Sequence, residues 1–315
     1  MEGRNFASSP VRNGRIPLRE EINPTATLTT KISKRVQAPG CRQCPRECLA
    51  LRPNEKGLCS SGGLRIASHN LHYGEEPPIS GRAGSGTIFF SGCSLKCIFC
   101  QNYPISHMGN GRDITPAELI LIMLELQERG AHNINLVSPS HFASDIREAL
   151  LGAKKKGLKI PVVYNTSGYD SVKTLKTFEG LVDIYLPDMK FANAEISRKY
   201  CEVSNYDKIS KAALLEMKRQ AGDVVLEEGI ALRGLIVRHL VLPGEILNSK
   251  LILKWILENL GNVYISIMSQ YHPCYKAVGH PIIGRRLLKK EYDEVLDYAV
   301  KLGFTKGFLQ EFDEN

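Results

Sequence analysis

The sequence has no run of about 18 apolar residues, so no segment is expected to span a membrane. Its first thirty residues hold no continuous apolar stretch, so no secretory signal is expected and the compartment is read as cytoplasmic. Internal repeats and low-complexity stretches are also lacking. The 315 residues must therefore build one large core, or one core with a small appendage. Basic charge is concentrated at the start. Residues 1–60 carry eleven Lys/Arg against five Asp/Glu, six of the net charge of +8. No aromatics interleave with that charge, so a solvated basic tail is expected rather than a nucleic-acid surface.

What the sequence does have is cysteine. Seven of its nine cysteines fall between positions 41 and 100, in two tight groups. In a chain with no export signal such grouping reads as metal binding rather than as a disulfide framework.

The second group, Cys93-x3-Cys97-x2-Cys100, puts three thiols on one short loop. Three thiolates can hold three corners of a [4Fe–4S] cluster and leave the fourth iron open to a small ligand. Structural zinc usually takes four ligands in two pairs, which this group lacks. The first group, Cys41-x2-Cys44-x3-Cys48-x10-Cys59, has four thiols within nineteen residues. That suffices for zinc or for a second Fe–S cluster, and spacing does not choose between them. The segment around it is too poor in apolar residues to fold unaided, so metal binding would supply its folding energy.

Residues 1–40, rich in Asn, Pro, Ser, Thr and Arg, read as a tail or loosely docked segment. Residues 41–66 form the cysteine-rich module and 67–86 a Gly- and Pro-rich connector. From 87 onward strand and helix signals alternate. TIFFSG, INLVSP, PVVYNTSG, VDIYLPDMK, LRGLIVRHLVLPG and NVYISIMSQ are six strand candidates with helical stretches between them. Thr115-Pro116-Ala117-Glu118 has the pattern of a capping box with proline at the first helical position. Helices are also expected over 205–221, 249–259 and 289–302, with an extended tail or edge after 303. Such alternation implies a parallel sheet with helices outside. The expected fold is α/β: a partial (β/α)6 barrel over 87–284, a small N-terminal cysteine-rich module, and a C-terminal helix and tail over 285–315. Polar clusters end each strand, where a barrel places its site.

The loop Gly92-Cys93-Ser94-Leu95-Lys96-Cys97-Ile98-Phe99-Cys100-Gln101-Asn102 resembles the signature loop of the radical S-adenosylmethionine (SAM) superfamily, with Phe99 at its aromatic position. Within that superfamily, residues 87–284 resemble the pyruvate formate-lyase activating enzymes. The whole chain is similar to an uncharacterised branch with the same upstream cysteine module and with segments like NLVSPSH and QYHPCYKA. The resemblance covers about 245 of the 315 residues.

The resemblance implies that the open iron chelates the amino and carboxylate groups of SAM, and that the reduced cluster passes one electron to the sulfonium. The carbon–sulfur bond then breaks, giving methionine and a 5′-deoxyadenosyl radical that abstracts hydrogen from substrate. It implies a flavodoxin- or ferredoxin-type electron donor. The target is either a protein, for a glycyl-radical activase, or a small molecule or side chain. A non-catalytic Fe–S electron carrier would not need the polar strand ends.

The resemblance also implies site residues. Ser138 and Ser140 stand where relatives have a Gly-Gly-Glu stretch that contacts the SAM amino group; a helix cap is the other reading of Ser140. Asn165, Thr166 and Ser167 match a segment that holds SAM, with Asn165 in place of an Asp, which argues against a cation site there. Asp188 and Lys190 match a further SAM segment, or form a plain surface ion pair. Arg238 would pair with the SAM carboxylate, and His272 would hydrogen-bond its ribose or methionine part. Cys274 is read as a buried hydrophobe, a hydrogen donor near the radical, or a thiolate ligand of the second centre.

Overall fold

The computed structural model describes residues 40–310 and 312, which lie in one compact unit. The expected tail at 1–40 therefore falls, but for Gly40, outside the described residues. The strands are β1 (Arg65–His72), β2 (Ser85–Phe90), β3 (Arg112–Asp113), β4 (Ile134–Val137), β5 (Val162–Thr166), β6 (Ile184–Pro187), β7 (Val225–Glu227), β8 (Ile230–Leu240), β9 (Tyr264–Met268) and β10 (Gly307–Leu309). The α-helices are α1 (Pro77–Ser80), α2 (Tyr103–Ser106), α3 (Pro116–Glu128), α4 (Ala143–Lys155), α5 (Val172–Lys176), α6 (Ala194–Cys201), α7 (Tyr206–Ala221), α8 (Ile246–Leu260) and α9 (Lys289–Leu302).

One sheet runs β10-β9-β8-β6-β5-β4-β2-β1-β3, with β7 paired to β8. From β2 to β10 the neighbours on this path are parallel, and helices supply the crossovers. β1 adds antiparallel to β2, and β3 to β1. The result is the expected partial barrel, with the six anticipated strands in β2, β4, β5, β6, β8 and β9. A seventh parallel strand, β10, comes from the segment read as a tail or edge.

Local chemistry sets the elements. Thr115 Oγ1 accepts from Glu118 N at 3.2 Å, and Glu118 Oε2 accepts from Thr115 N at 2.8 Å, so the capping box at the start of α3 is closed both ways. Strand alternation divides the core. Ile134, Leu136, Val162, Tyr164, Leu235 and Val237 face the helices. Val163, Ile184, Leu186 and Ile236 face the other way, into the barrel.

What fills the barrel interior comes from the segment read as a connector. Residues 67–86 contain most of β1 and all of α1. Ile79 of α1 is fully buried among Val163, Ile184, Leu186 and Ile236. The segment is therefore a plug. An open sheet of parallel strands leaves its concave face without a helix layer, and Ile79 supplies the apolar cover.

This placement is testable. Ile79→Ala should cost about 2–5 kcal/mol in urea unfolding, as for a core truncation. A loss within about 0.5 kcal/mol would mark the segment as a surface connector instead.

Candidate active site

Cys93, Cys97 and Cys100 follow β2 on a loop whose backbone is anchored on three sides. Cys93 N donates to Cys59 O at 3.2 Å, Gly92 N to Ile105 O at 2.8 Å and Ile98 N to Tyr200 O at 2.9 Å. Gly92 is required twice over. Its φ is +84°, and a Cβ there would stand 2.4 Å from Cys59 O. Phe99 is buried edge-on to Phe191, Tyr200 and Tyr271, with ring centroids 6.3, 6.3 and 6.0 Å away.

The cysteine module packs directly on this loop. Besides the Cys59 carbonyl, Arg46 Nε donates to Ser94 O at 2.8 Å and Lys96 Nζ to Ser60 Oγ at 2.9 Å. Within the module, Arg52 donates to Cys59 Sγ at 2.8 Å. Gly57 leaves space beside two sulfurs, since a Cβ on it would lie 3.1 Å from Cys48 Sγ and 3.4 Å from Cys59 Sγ. Cys41 and Cys44 lie within electrostatic reach of the same thiols.

Among the described residues, no three Cys, His, Asp or Glu side chains converge on one ion position. A four-iron group is held at its corners by thiols that stand around it, and the three thiols on the loop at 93–100 suit such a group. Burial pushes Cys93 up to about 12 and raises Cys100. Cys97 is raised by its contact with Cys201 and by burial. Iron binding would replace the protons these thiols hold.

Behind Cys97 lies a largely enclosed polar network centred on Arg238. Its Nε donates to Asp188 Oδ1 at 2.9 Å, one terminal nitrogen to Glu75 Oε2 at 3.1 Å and the other to Asn165 Oδ1 at 2.6 Å. Asp188 Oδ2 accepts from Lys190 Nζ at 2.6 Å. Glu75 Oε1 accepts from Asn135 at 3.0 Å and from Asn165 at 3.2 Å. Burial raises Asp188, but Arg238 and Lys190 outweigh it and leave its carboxyl below the ordinary value. Burial raises Glu75, and there Arg238 only partly offsets it. The carboxylate of Glu76 stands 3.9 Å from the same guanidinium.

The expected site residues divide accordingly. Asn165, Asp188, Lys190 and Arg238 come together, and Asp188–Lys190 is a half-buried pair inside this network rather than a surface one. All three guanidinium nitrogens of Arg238 are engaged within the protein. Ser140 is buried, and its hydroxyl donates to Asp170 rather than capping a helix. Thr166 Oγ1 also donates to Asp170, at 2.6 Å. Both hydroxyls thus tie the loops after β4 and β5 together. Ser138 has a φ of +60°, and its N donates to Asn165 O at 2.8 Å. The Ser167 carbonyl accepts from Tyr206 at 2.7 Å. His272 is exposed and lies 3.2 Å from Gln101, whose side chain also donates to Gln270 O. Cys274 donates to Phe99 O at 3.3 Å, so the loop after β9 latches onto the signature loop.

Sequence reasoning missed Glu75, Glu76, Asn135 and Asp170. The signal for the first two was Gly74-Glu75-Glu76-Pro77-Pro78: paired carboxylates just before an apolar turn in a supposed connector. Asn135 sits inside a strand candidate, where a polar residue on one face points to a polar interior. Gly168 has φ +75°, and a Cβ there would meet Asp188 O at 2.2 Å, so the β5 and β6 ends touch only because no side chain intervenes.

Arg238→Met should cost about 3–5 kcal/mol, because it strands buried carboxylates without their cation. Adding Glu75→Gln should recover part of that loss in the same denaturation assay. A pH prediction follows from His239, which is buried between Met189 O at 2.7 Å and Ser249 Oγ at 2.8 Å. Burial holds it down at about 4, so it folds neutral. Its contribution to stability is complete above about 6.5 and is lost as pH falls through about 4. Urea midpoints taken between pH 7 and 4.5 should fall, and less steeply in His239→Gln.

Residues 87–256 match the Radical SAM superfamily model. Uncharacterized protein MJ0674 of Methanocaldococcus jannaschii is 32% identical over 284 residues, covering 87% of this chain and 78% of that protein. Among solved structures, methylornithine synthase (PylB) aligns with a TM-score of 0.48 at 16% identity over 69% of this chain. SuiB of Streptococcus suis aligns with a TM-score of 0.47 at 10% identity over 72% of this chain. The chain spans 60% of the length of PylB and 48% of that of SuiB. The family match takes in more than half of the sequence and begins in β2, just before the three-cysteine loop: this chain belongs to the radical SAM superfamily.

Proposed function

We propose that this chain cleaves SAM reductively at a [4Fe–4S] cluster held by Cys93, Cys97 and Cys100, and directs the resulting radical at an external protein as a glycyl-radical activase. The observation that carries the reading is the three-thiol loop at the end of β2, with Asp188 and Lys190 in electrostatic contact with Cys97. When bound, the cluster supplies the electron that opens the SAM sulfonium.

The chain's own residues orient and enclose. Arg238 fixes Asp188 and Asn165 at neighbouring strand ends, which keeps polar groups aimed at one place. Phe99 and its aromatic neighbours exclude water on one side of the loop. Asn165, Asp188, Lys190 and the backbone around Ser138 and Ser167 are the groups we assign to SAM. Gln101, His272 and Lys276 are exposed beside the loop, which supports a macromolecular target over an enclosed small molecule. A flavodoxin- or ferredoxin-type protein would deliver the electron.

We assign a second metal centre, zinc or an Fe–S cluster, to Cys41, Cys44, Cys48 and Cys59. Four thiols in a segment this poor in apolar residues support it.

The test is anaerobic reconstitution with iron, sulfide and SAM, followed by assay for 5′-deoxyadenosine. Replacing Cys93, Cys97 and Cys100 together with Ala should abolish cleavage and remove about four irons per chain. Metal remaining in that variant would belong to the N-terminal module, and Mössbauer spectroscopy would separate iron from zinc. Full cleavage by the triple variant would sink the cluster assignment. Product formation on a small molecule alone, with no candidate glycyl-radical partner labelled, would replace the activase reading.

A further inference from the structure

We propose that Ser106 sets the reduction potential of the cluster by a hydrogen bond to Cys100. The proposal rests on the assignment of Cys93, Cys97 and Cys100 as cluster ligands.

After Cys100 the chain turns through the single-turn helix α2 and comes back on itself, which brings Ser106 Oγ to 3.1 Å from Cys100 Sγ. Ser106 is buried, at 8% exposure. A serine at the end of a helical turn ordinarily bonds back to a carbonyl three or four residues earlier. Here the hydroxyl turns to the sulfur instead, while the Ser106 N–H keeps the ordinary helical bond to Asn102 O at 2.9 Å. The placement is held from outside α2 as well: Lys96 Nζ lies 3.5 Å from the Ser106 carbonyl. Once Cys100 is a thiolate it has no proton to give, so the hydroxyl must be the donor.

A hydrogen bond to a ligating sulfur withdraws electron density and is stronger in the electron-rich, reduced state. It therefore raises the potential. The other two ligands are served differently. Cys93 Sγ accepts from Leu95 N at 3.4 Å, and Cys97 is in contact with the Cys201 side chain. Ser106 is thus the hydroxyl donor of the set among the described residues. It is a positioning residue, acting on the cluster through Cys100 rather than touching SAM.

The test is an EPR-monitored redox titration of reconstituted full-length protein, with iron content measured in parallel. Ser106→Ala should load the same iron and shift the reduction equilibrium about tenfold against reduction, which is about 59 mV for one electron. Ser106→Thr should titrate close to wild type. Ser106→Val has the shape of Ser106→Thr without the hydroxyl, so this pair decides the matter if the alanine variant loads poorly. Equal potentials across fully loaded Thr and Val variants would overturn the proposal. So would cluster loss in both hydroxyl-free variants, which would make Ser106 a holder of the ligand rather than a tuner. A wild-type protein that takes up no cluster would instead refute the ligand assignment beneath it.

Discussion

The site is organised by one largely enclosed guanidinium, that of Arg238. Arg238 lies on the inner face of β8, where a guanidinium without partners would be too costly to bury. Its partners come from three separate parts of the chain: Asp188 after β6, Asn165 on β5 and Glu75 ahead of α1. Satisfying Arg238 therefore fixes the relative placement of two strand ends and of the segment that plugs the barrel. The same guanidinium holds Asp188 ionised, and Asp188 in turn holds Lys190.

That network also gives Asn165 a defined part, because Glu75 accepts from the Asn165 side chain and from Arg238. An amide at 165 can then bridge, accepting from Arg238 and donating to Glu75, which an Asp could not do.

The two cysteine groups are one assembly rather than two domains in series. Cys59 gives its carbonyl to the Cys93 amide, and Arg46 and Lys96 cross between module and loop in opposite directions. The conformation of the three-thiol loop thus depends on the module below it. On its other side the loop after β9 reaches it through Gln101 and Cys274. The carbonyl contact of Cys274 is the ordinary use of a half-buried thiol as a weak donor.

Much of this was legible in the sequence because it is local. The three-thiol loop, the four-cysteine module, the capping box at Thr115, the helix over 289–302 and the six barrel strands all rest on spacing, periodicity and end chemistry within a few residues. What sequence alone could not settle was long-range pairing. Glu75 and Arg238 are 163 positions apart, and nothing near Glu75 says that its carboxylate turns into a barrel rather than toward water. In the sequence the hydroxyls of Ser140 and Thr166 are free for a cofactor; in the structure both donate to Asp170. A polar side chain in a sequence offers its hydrogen bonds to any partner, and only the closed tertiary structure, by burying it, decides which partner it must take.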